Sequence, residues 1–287
     1  MRLIKMTGGL GNQMFIYAFY MQMKRRFPNT RIDLSDMAHY HVHNGYELHR
    51  LFPHLPKDEF RIGQKAKKIV EFLFFNTIIE RKQNLATLRA VERRRLWPFI
   101  YFKGFYQSER YFEPIADEVR EAFTFSESLA GARTRELLSQ IKASPTAVSL
   151  HVRRGDYLEP KVWRNTGCVC GLQYYHDSVR YIEQYVTSPH YYVFSDDIPW
   201  ATANLKLRNA TFVTWNHGQD SWQDMMLMAA CRHNIICNST FSWWGAWLNP
   251  YEEKIVIAPE RWSALADTPH RCPPSWIQIP VTPILQP

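Results

Sequence analysis

At 287 residues, with 46% hydrophobic and 15% aromatic side chains, the chain has enough apolar material for two folded domains. No low-complexity tract or internal repeat argues for disorder or a solenoid. The net charge of +8 is uneven: residues 1–145 hold 24 Lys and Arg against 15 Asp and Glu, and residues 146–287 hold the other 11 against 12. That asymmetry supports two domains, 1–145 and 146–287. No recognised nucleic-acid motif accompanies the charge, so no nucleic-acid partner is expected.

The first residues, "MRLIKMTGG", run into a glycine-rich loop without the apolar core and cleavage site of a secretory signal. The longest apolar stretch, "IVEFLFFNTII" (69–79), carries Glu71 and Asn76 and is too short to span a bilayer. The expectation is a soluble, cytoplasmic protein. Cysteines 168, 170, 231, 237 and 272 form an odd set without paired C-x-x-C spacing and read as reduced thiols. The basic run from Arg61 to Arg95 reads as a solvated helix face, with peripheral contact to the inner face of an anionic membrane as the alternative.

In chain order, "RLIKMT" (2–7) predicts a strand, the glycine loop follows, and residues 13–26 predict a helix that Pro28 ends. "TRIDLS" (30–35) closes an opening β-α-β unit. Residues 57–125 mix helical patterns with aromatics and yield no order. From residue 147 the alternation is clean. Strands are expected at 147–152, 191–195, 211–214, 234–238 and 254–259, and helices near 173–187, at 220–232 and from about 241. Short apolar strands between helices imply a doubly wound parallel sheet, whose ligands bind beyond the carboxyl ends of the strands.

Three of those ends carry suggestive residues. After 147–152 come Arg153, Arg154 and Asp156, and two forked guanidiniums that never deprotonate suit a diphosphate. "VFSDD" places Asp196 and Asp197 after the next strand, either to hold a divalent metal or to accept hydrogen bonds from a base or sugar edge. "NIICNSTFSWWGAWLN" ends a strand at Asn238 and opens a helix through Ser239, Thr240 and Ser242, whose free N–H groups and hydroxyls form a phosphate cradle. Trp243, Trp244 and Trp247 lie three and four apart and read as helix packing.

"GGLGNQMF", "HVRRGDY", "FSDD" and "NSTFSWWGAWLN", in this order over nearly the whole chain, resemble the α-1,2-fucosyltransferase family. The resemblance implies an α/β, GT-B-like fold of two Rossmann-type domains with a nucleotide-sugar cleft between them. The first domain would be the acceptor side and the second would hold the donor. It implies inverting transfer of L-fucose from GDP-β-L-fucose to the 2-hydroxyl of a terminal β-galactoside, with no cofactor and no essential metal. Another linkage remains an alternative.

Carried over by position, Arg153 matches the arginine on the β-phosphate, and His151 lies beside the guanosine. Asp197, chosen over Asp196, reads the guanine. Ser239, Thr240, Phe241 and Ser242 form the phosphate-binding helix start, and Gly11 and Asn12 touch the donor's β-phosphate or fucose. The general base is left open among Asp156, Glu47 and the histidines of "HYHVH" (His39, His41, His43). Where relatives often have Gln, this chain has Ile16, which is expected to pack.

Two other classes were weighed against this one. "GGLGNQ" lacks the third glycine of a dinucleotide fingerprint, although Asp33 stands about 20 residues on, where a nicotinamide enzyme would place its ribose partner. A non-catalytic glycan-binding protein would not need a diphosphate site.

Overall fold

The structure, a computed structural model, describes residues 1–37, 40, 43–63, 77–80, 86–93, 97–159, 170–263 and 270–281. The chain forms two compact units: residues 1–126 with 269–271, and residues 127–268 with 272–287.

The first unit contains β1 (Arg2–Lys5), α1 (Leu10–Arg26), β2 (Thr30–Asp33), α2 (Leu48–Leu51), β3 (Glu59–Phe60), β4 (Thr77–Ile79), α3 (Ala86–Arg93), β5 (Ile100–Lys103) and α4 (Ala116–Ala122). Its sheet has the order β3-β2-β1-β5-β4, and every pair is parallel. Leu3 and Ile4 are fully buried, as expected of a central strand covered on both faces.

Helix α1 begins at Leu10, earlier than the sequence pattern places it. Gly9 stands at its N-cap in extended conformation and offers no side-chain cap, while Gly8 turns the chain with φ +85°. Met14, Phe15, Ile16, Phe19 and Tyr20 are all buried, so the helix is enclosed on most sides and shows no amphipathic signal. Lys24, Arg25 and Arg26 fill its last turn, where cations face the negative end of the helix dipole.

The aromatic stretch that resisted ordering packs on this helix. Tyr106 stacks on Phe19 at 4.0 Å between ring centres, and Phe102 and Tyr111 meet the same ring edge-on. Of the long apolar stretch 69–79, only Thr77–Ile79 is described, as β4.

The second unit contains α5 (Ala132–Ala143), β6 (Ala147–Val152), α6 (Leu172–Tyr185), β7 (His190–Ser195), α7 (Ile198–Leu205), β8 (Ala210–Val213), α8 (Trp222–Ala230), β9 (His233–Ile235), α9 (Thr240–Leu248), β10 (Val256–Pro259) and β11 (Ile277–Ile279). The sheet order is β11-β10-β9-β6-β7-β8, again parallel throughout. All six residues of β6 are buried, and its Val148, Leu150 and Val152 pack with Tyr174, Tyr175 and Ile182 of α6 in one core cluster.

Helices α5 and α7 and strand β11 are additions to the sequence pattern. The units divide between Ser126 and Glu127, whereas composition suggested 145. The reason is α5, which belongs to the second unit. Thr134 Oγ1 donates to Asn216 Oδ1 at 3.1 Å, and the Gly131 N–H donates to Gln223 Oε1 on α8 at 2.9 Å.

Both sheets reverse direction once. In the first, β1, β2 and β3 run outward one way, so the chain's switch lies between β1 and β5. In the second, the strand order steps outward from β6 through β7 to β8 on one side and from β9 through β10 to β11 on the other, which places the switch between β6 and β9. Crevices for ligands open at such points, outside the carboxyl ends of the strands.

Candidate functional site

The second unit's switch point gathers most of the residues singled out from the sequence. His151 is on β6, and Arg153 and Arg154 follow the strand; Asp196 and Asp197 follow β7; Ser239 caps α9, which follows β9.

The two arginines and two aspartates form ordered pairs. Arg153 Nε lies 3.1 Å from Asp196 Oδ2, and its guanidinium carbon is 5.9 Å from the centre of the Tyr157 ring. Arg154 Nε donates to Asp197 Oδ2 at 3.2 Å, and its guanidinium stacks over Trp200 at 4.1 Å. The backbone N–H of Arg154 also donates to Asp196 Oδ1 at 2.8 Å.

Asp197 caps α7 as well, accepting from the Trp200 N–H at 3.1 Å. Its carboxylate is thus committed to local structure, while Asp196 holds the Arg153 side chain and the Arg154 backbone. Gly155 completes that turn because a Cβ there would stand 2.8 Å from Asp196 Oδ2. Asp156 opens a short 3₁₀ turn, Asp156–Leu158. Its side chain lies outside the described residues.

Ser239 Oγ accepts from the Phe241 N–H at 3.3 Å, and Ser242 Oγ donates to the Ser239 carbonyl at 3.4 Å. Tyr157 OH donates to the Asn238 carbonyl at 2.9 Å and so ties the arginine turn to the start of α9. His151 packs beside Phe241, with ring centres 6.0 Å apart, and Cys237 Sγ is 3.2 Å from its Nδ1. Burial first, then Arg153, pushes His151 down to about 4, so it is neutral at pH 7. Arg153 remains charged beside it, and together with the start of α9 this makes a donor-rich surface suited to an anion.

The first unit's switch point holds the glycine loop. Asn12 Oδ1 accepts from Gln107 Nε2, and Gln107 Oε1 accepts from Arg271 Nη1. A Cβ on Gly8 would stand 2.7 Å from Asn12 Nδ2, so glycine is what lets the loop pass over that side chain. Gly11 is buried in the first turn of α1. Gln13, fully buried, donates to the carbonyls of Gly8 and Gly45, and its Oε1 accepts from the Glu47 N–H at 2.9 Å.

Glu47 is 2% exposed, and its Oε1 accepts from Arg50 at 3.0 Å. Burial raises its pKa against the opposing pull of Arg50 and Asn44. His43 lies against Gly9, while His39 and His41 fall outside the described residues.

Three supporting residues escaped the sequence reading. Gln107 and Arg271 lie far along the chain from Asn12 and carry no motif. Asp224 is the one charged residue of α8, where burial raises it to about 7 against the opposing hydrogen bond from Asn216 Nδ2 at 2.7 Å. A lone acid within "WQDMMLMAA" was the available signal.

The protonated form of Asp224 is favoured in the folded state, so its contribution to stability is full below about pH 4 and is lost as pH rises through about 7. The expected outcome is that Asp224→Asn flattens this part of the decline in melting temperature between pH 4 and 8. Calorimetry of both proteins across that range checks it, and parallel curves would remove Asp224 from the account.

Among the described residues, Cys170, Cys231 and Cys237 are buried and Cys272 is half-buried. No group of three or more His, Cys, Asp or Glu side chains among them is arranged to hold a metal ion. No described helix is long and apolar enough to cross a membrane.

The model of glycosyl transferase family 11 matches residues 3–279. An α-1,2-colitosyltransferase of Escherichia coli is 32% identical over 96% of this chain and 97% of its own length. The human galactoside α-(1,2)-fucosyltransferase 1 is 28% identical, but over only 53% of this chain and 43% of that protein. Among solved structures, the NodZ α-1,6-fucosyltransferase soaked with GDP-fucose aligns with a TM-score of 0.52 at 13% identity, covering 87% of this chain and 92% of that one. That likeness is one of fold, and it identifies the two parallel-sheet units as the GT-B-like α/β architecture. With the family model spanning nearly its full length, the chain belongs to glycosyl transferase family 11 and is a glycosyltransferase.

Proposed function

We propose that the chain transfers L-fucose from GDP-β-L-fucose to the 2-hydroxyl of a terminal β-galactoside, with inversion at the anomeric carbon and without an essential metal. The observation that carries this reading is that Arg153, aligned by Asp196, and the capped start of α9 both stand at the switch point of the second sheet. Both supply fixed positive charge where a diphosphate leaving group would gather negative charge.

In this account the acceptor oxygen attacks C1 of fucose while the bond from C1 to the β-phosphate oxygen breaks. The two electrons of that bond leave on GDP, and the acceptor proton passes to a general base. Arg153 and the N–H groups near Ser239, Thr240, Phe241 and Ser242 stabilise the leaving phosphate. His151 faces the guanosine, and Asp197 is assigned to the guanine through the family resemblance. Gly11 and Asn12 contact the fucose or β-phosphate.

Glu47 and Asp156 are the candidates for the base. The raised pKa of Glu47 makes it the stronger proton acceptor once ionised. The working site is cytoplasmic.

A second reading has a specific support. The full-length similarity to an α-1,2-colitosyltransferase favours a colitosyl group as the one transferred.

The test is thermal. GDP at millimolar concentration in EDTA is expected to raise the melting temperature through binding to the folded state, and NADH is expected to leave it unchanged. No shift with GDP would sink the nucleotide-sugar reading, and a shift that requires added divalent metal would sink its metal-free form.

A further inference from the structure

Across the switch point of the second sheet, a thiol meets an imidazole. Cys237 follows β9 and is fully buried, and its Sγ lies 3.2 Å from Nδ1 of His151 on β6. At that distance one of the two groups donates a hydrogen to the other.

The choice follows from their chemistry. Sulfur is weak in either role, but a thiol S–H is far more acidic than the N–H of a neutral imidazole, whose bare nitrogen is a good acceptor, so the thiol S–H donates to Nδ1. Burial and Arg153 keep the ring neutral at pH 7, so it carries a single N–H. With Nδ1 accepting, that hydrogen is on Nε2. Among the described residues no hydrogen bond reaches Nε2, and the atom is not among those sealed from solvent without a partner. The inner edge of the ring is therefore held by the protein, and the residue keeps 7% exposure at the switch point.

We propose that Cys237 is a positioning residue whose thiol fixes His151 as the Nε2–H tautomer, so that the switch point presents a hydrogen-bond donor to an acceptor atom of the bound nucleotide. The ligand in this statement rests on the nucleotide reading above, while the tautomer rests on the Cys237–His151 contact alone.

The surroundings fit a donor there. Arg153 lies on the same strand end, Asp196 is engaged with Arg153 and the backbone of Arg154, and Phe241 packs beside the ring without a competing polar group. A ring free to exchange tautomers would offer the nucleotide a lone pair for part of the time.

The experiment reads the tautomer directly, from long-range 15N–1H correlation spectra of the nucleotide-free protein, alongside GDP titration calorimetry. Wild type is expected to show His151 protonated on Nε2, and Cys237→Ser, which keeps a donor, is expected to preserve that signature. Cys237→Ala is expected to show a mixed or Nδ1–H ring and about 10-fold weaker GDP binding, the size of one lost hydrogen bond. Its kcat at saturating donor should stay within about 2-fold, because the lost interaction serves binding and not the transition state.

An Nδ1–H ring in wild type overturns the proposal. So does an Ala variant whose tautomer and GDP affinity both match wild type. If Cys237→Ala changes the tautomer but not the affinity, the donor role toward the nucleotide is overturned. If wild type has the Nε2–H ring yet binds no GDP, the nucleotide reading fails and the tautomer assignment stands. Should the alanine variant not fold, the wild-type and serine spectra still decide the tautomer.

Discussion

Arg153→Ala is expected to lower kcat for fucosyl transfer by roughly 100- to 1,000-fold, the loss seen when one preorganised donor is taken from developing negative charge. Arg153 leaves β6 at the switch point, where Asp196 aligns its guanidinium through Nε at 3.1 Å. The guanidinium stays charged at every working pH, and its planar fork matches the oxygens of a phosphate.

Arg153→Lys should recover only part of the loss, since a point charge replaces a fork. The melting temperature should change little, because the side chain is part-exposed and its ion pair with Asp196 is solvated. Steady-state kinetics with GDP-fucose, paired with calorimetry, separates the two effects. Activity within about 3-fold of wild type in a folded Arg153→Ala protein would remove Arg153 from its assigned role.

The second large effect concerns the scaffold of the phosphate cradle. Trp243→Ala is expected to cost about 3–5 kcal/mol of unfolding free energy, as truncation of a buried aromatic leaves a cavity that its neighbours fill only partly. Trp243 is fully buried in α9, stacked with Trp247 at 6.0 Å and set against Trp244 at 5.1 Å and Trp276 at 5.4 Å. The melting temperature should fall on the order of 10 °C for a chain of this size.

The other face of α9 is equally constrained. A Cβ on Gly245 would stand 2.8 Å from Met228 Cβ on α8, so the two helices meet where only glycine fits. Loss of Trp243 should therefore loosen the start of α9 as well, seen as weaker GDP binding at temperatures where the variant is still folded. A melting temperature within 2 °C of wild type would contradict this packing account.

The parts of the fold legible in the sequence were those where local and tertiary signals agree. Strand β6 is a short apolar run buried on both faces, so "AVSLHV" could be read without ambiguity and placed Arg153 and Arg154 at a strand end. Helix α9 was visible because Ser239 is a capping residue followed by an apolar segment.

Elements were missed where neighbours decide. Helix α1 is enclosed almost all round, so its true start at Leu10 lacks both a periodic pattern and a side-chain cap. Strand β11 is three residues long and exists through its parallel pairing with β10. Helix α7 does carry a signal, an Asp197 cap with Pro199 in the first turn, but the aspartates of "VFSDD" also suit a ligand.

The site divides in the same way. Residue types at strand ends could be read along the chain, because fold topology sends those ends to one crevice. Their pairing could not, since it depends on side-chain direction. Asp197 was assigned to a ligand from its motif, yet its carboxylate caps α7 and pairs with Arg154. The support of Asn12 by Gln107 and Arg271 joins residues far apart in sequence and had no local trace.

The central claim is fucosyl transfer to galactose O2 from a metal-independent diphosphate site. Its most direct measurement is incubation of the protein in EDTA with GDP-fucose and a panel of β-galactosides, with the product linkage read by NMR. The account predicts release of GDP and a single new α-linked fucose on O2 of the terminal galactose. A β-linked product, a different position of attachment, or no transfer until a divalent metal is restored would contradict it.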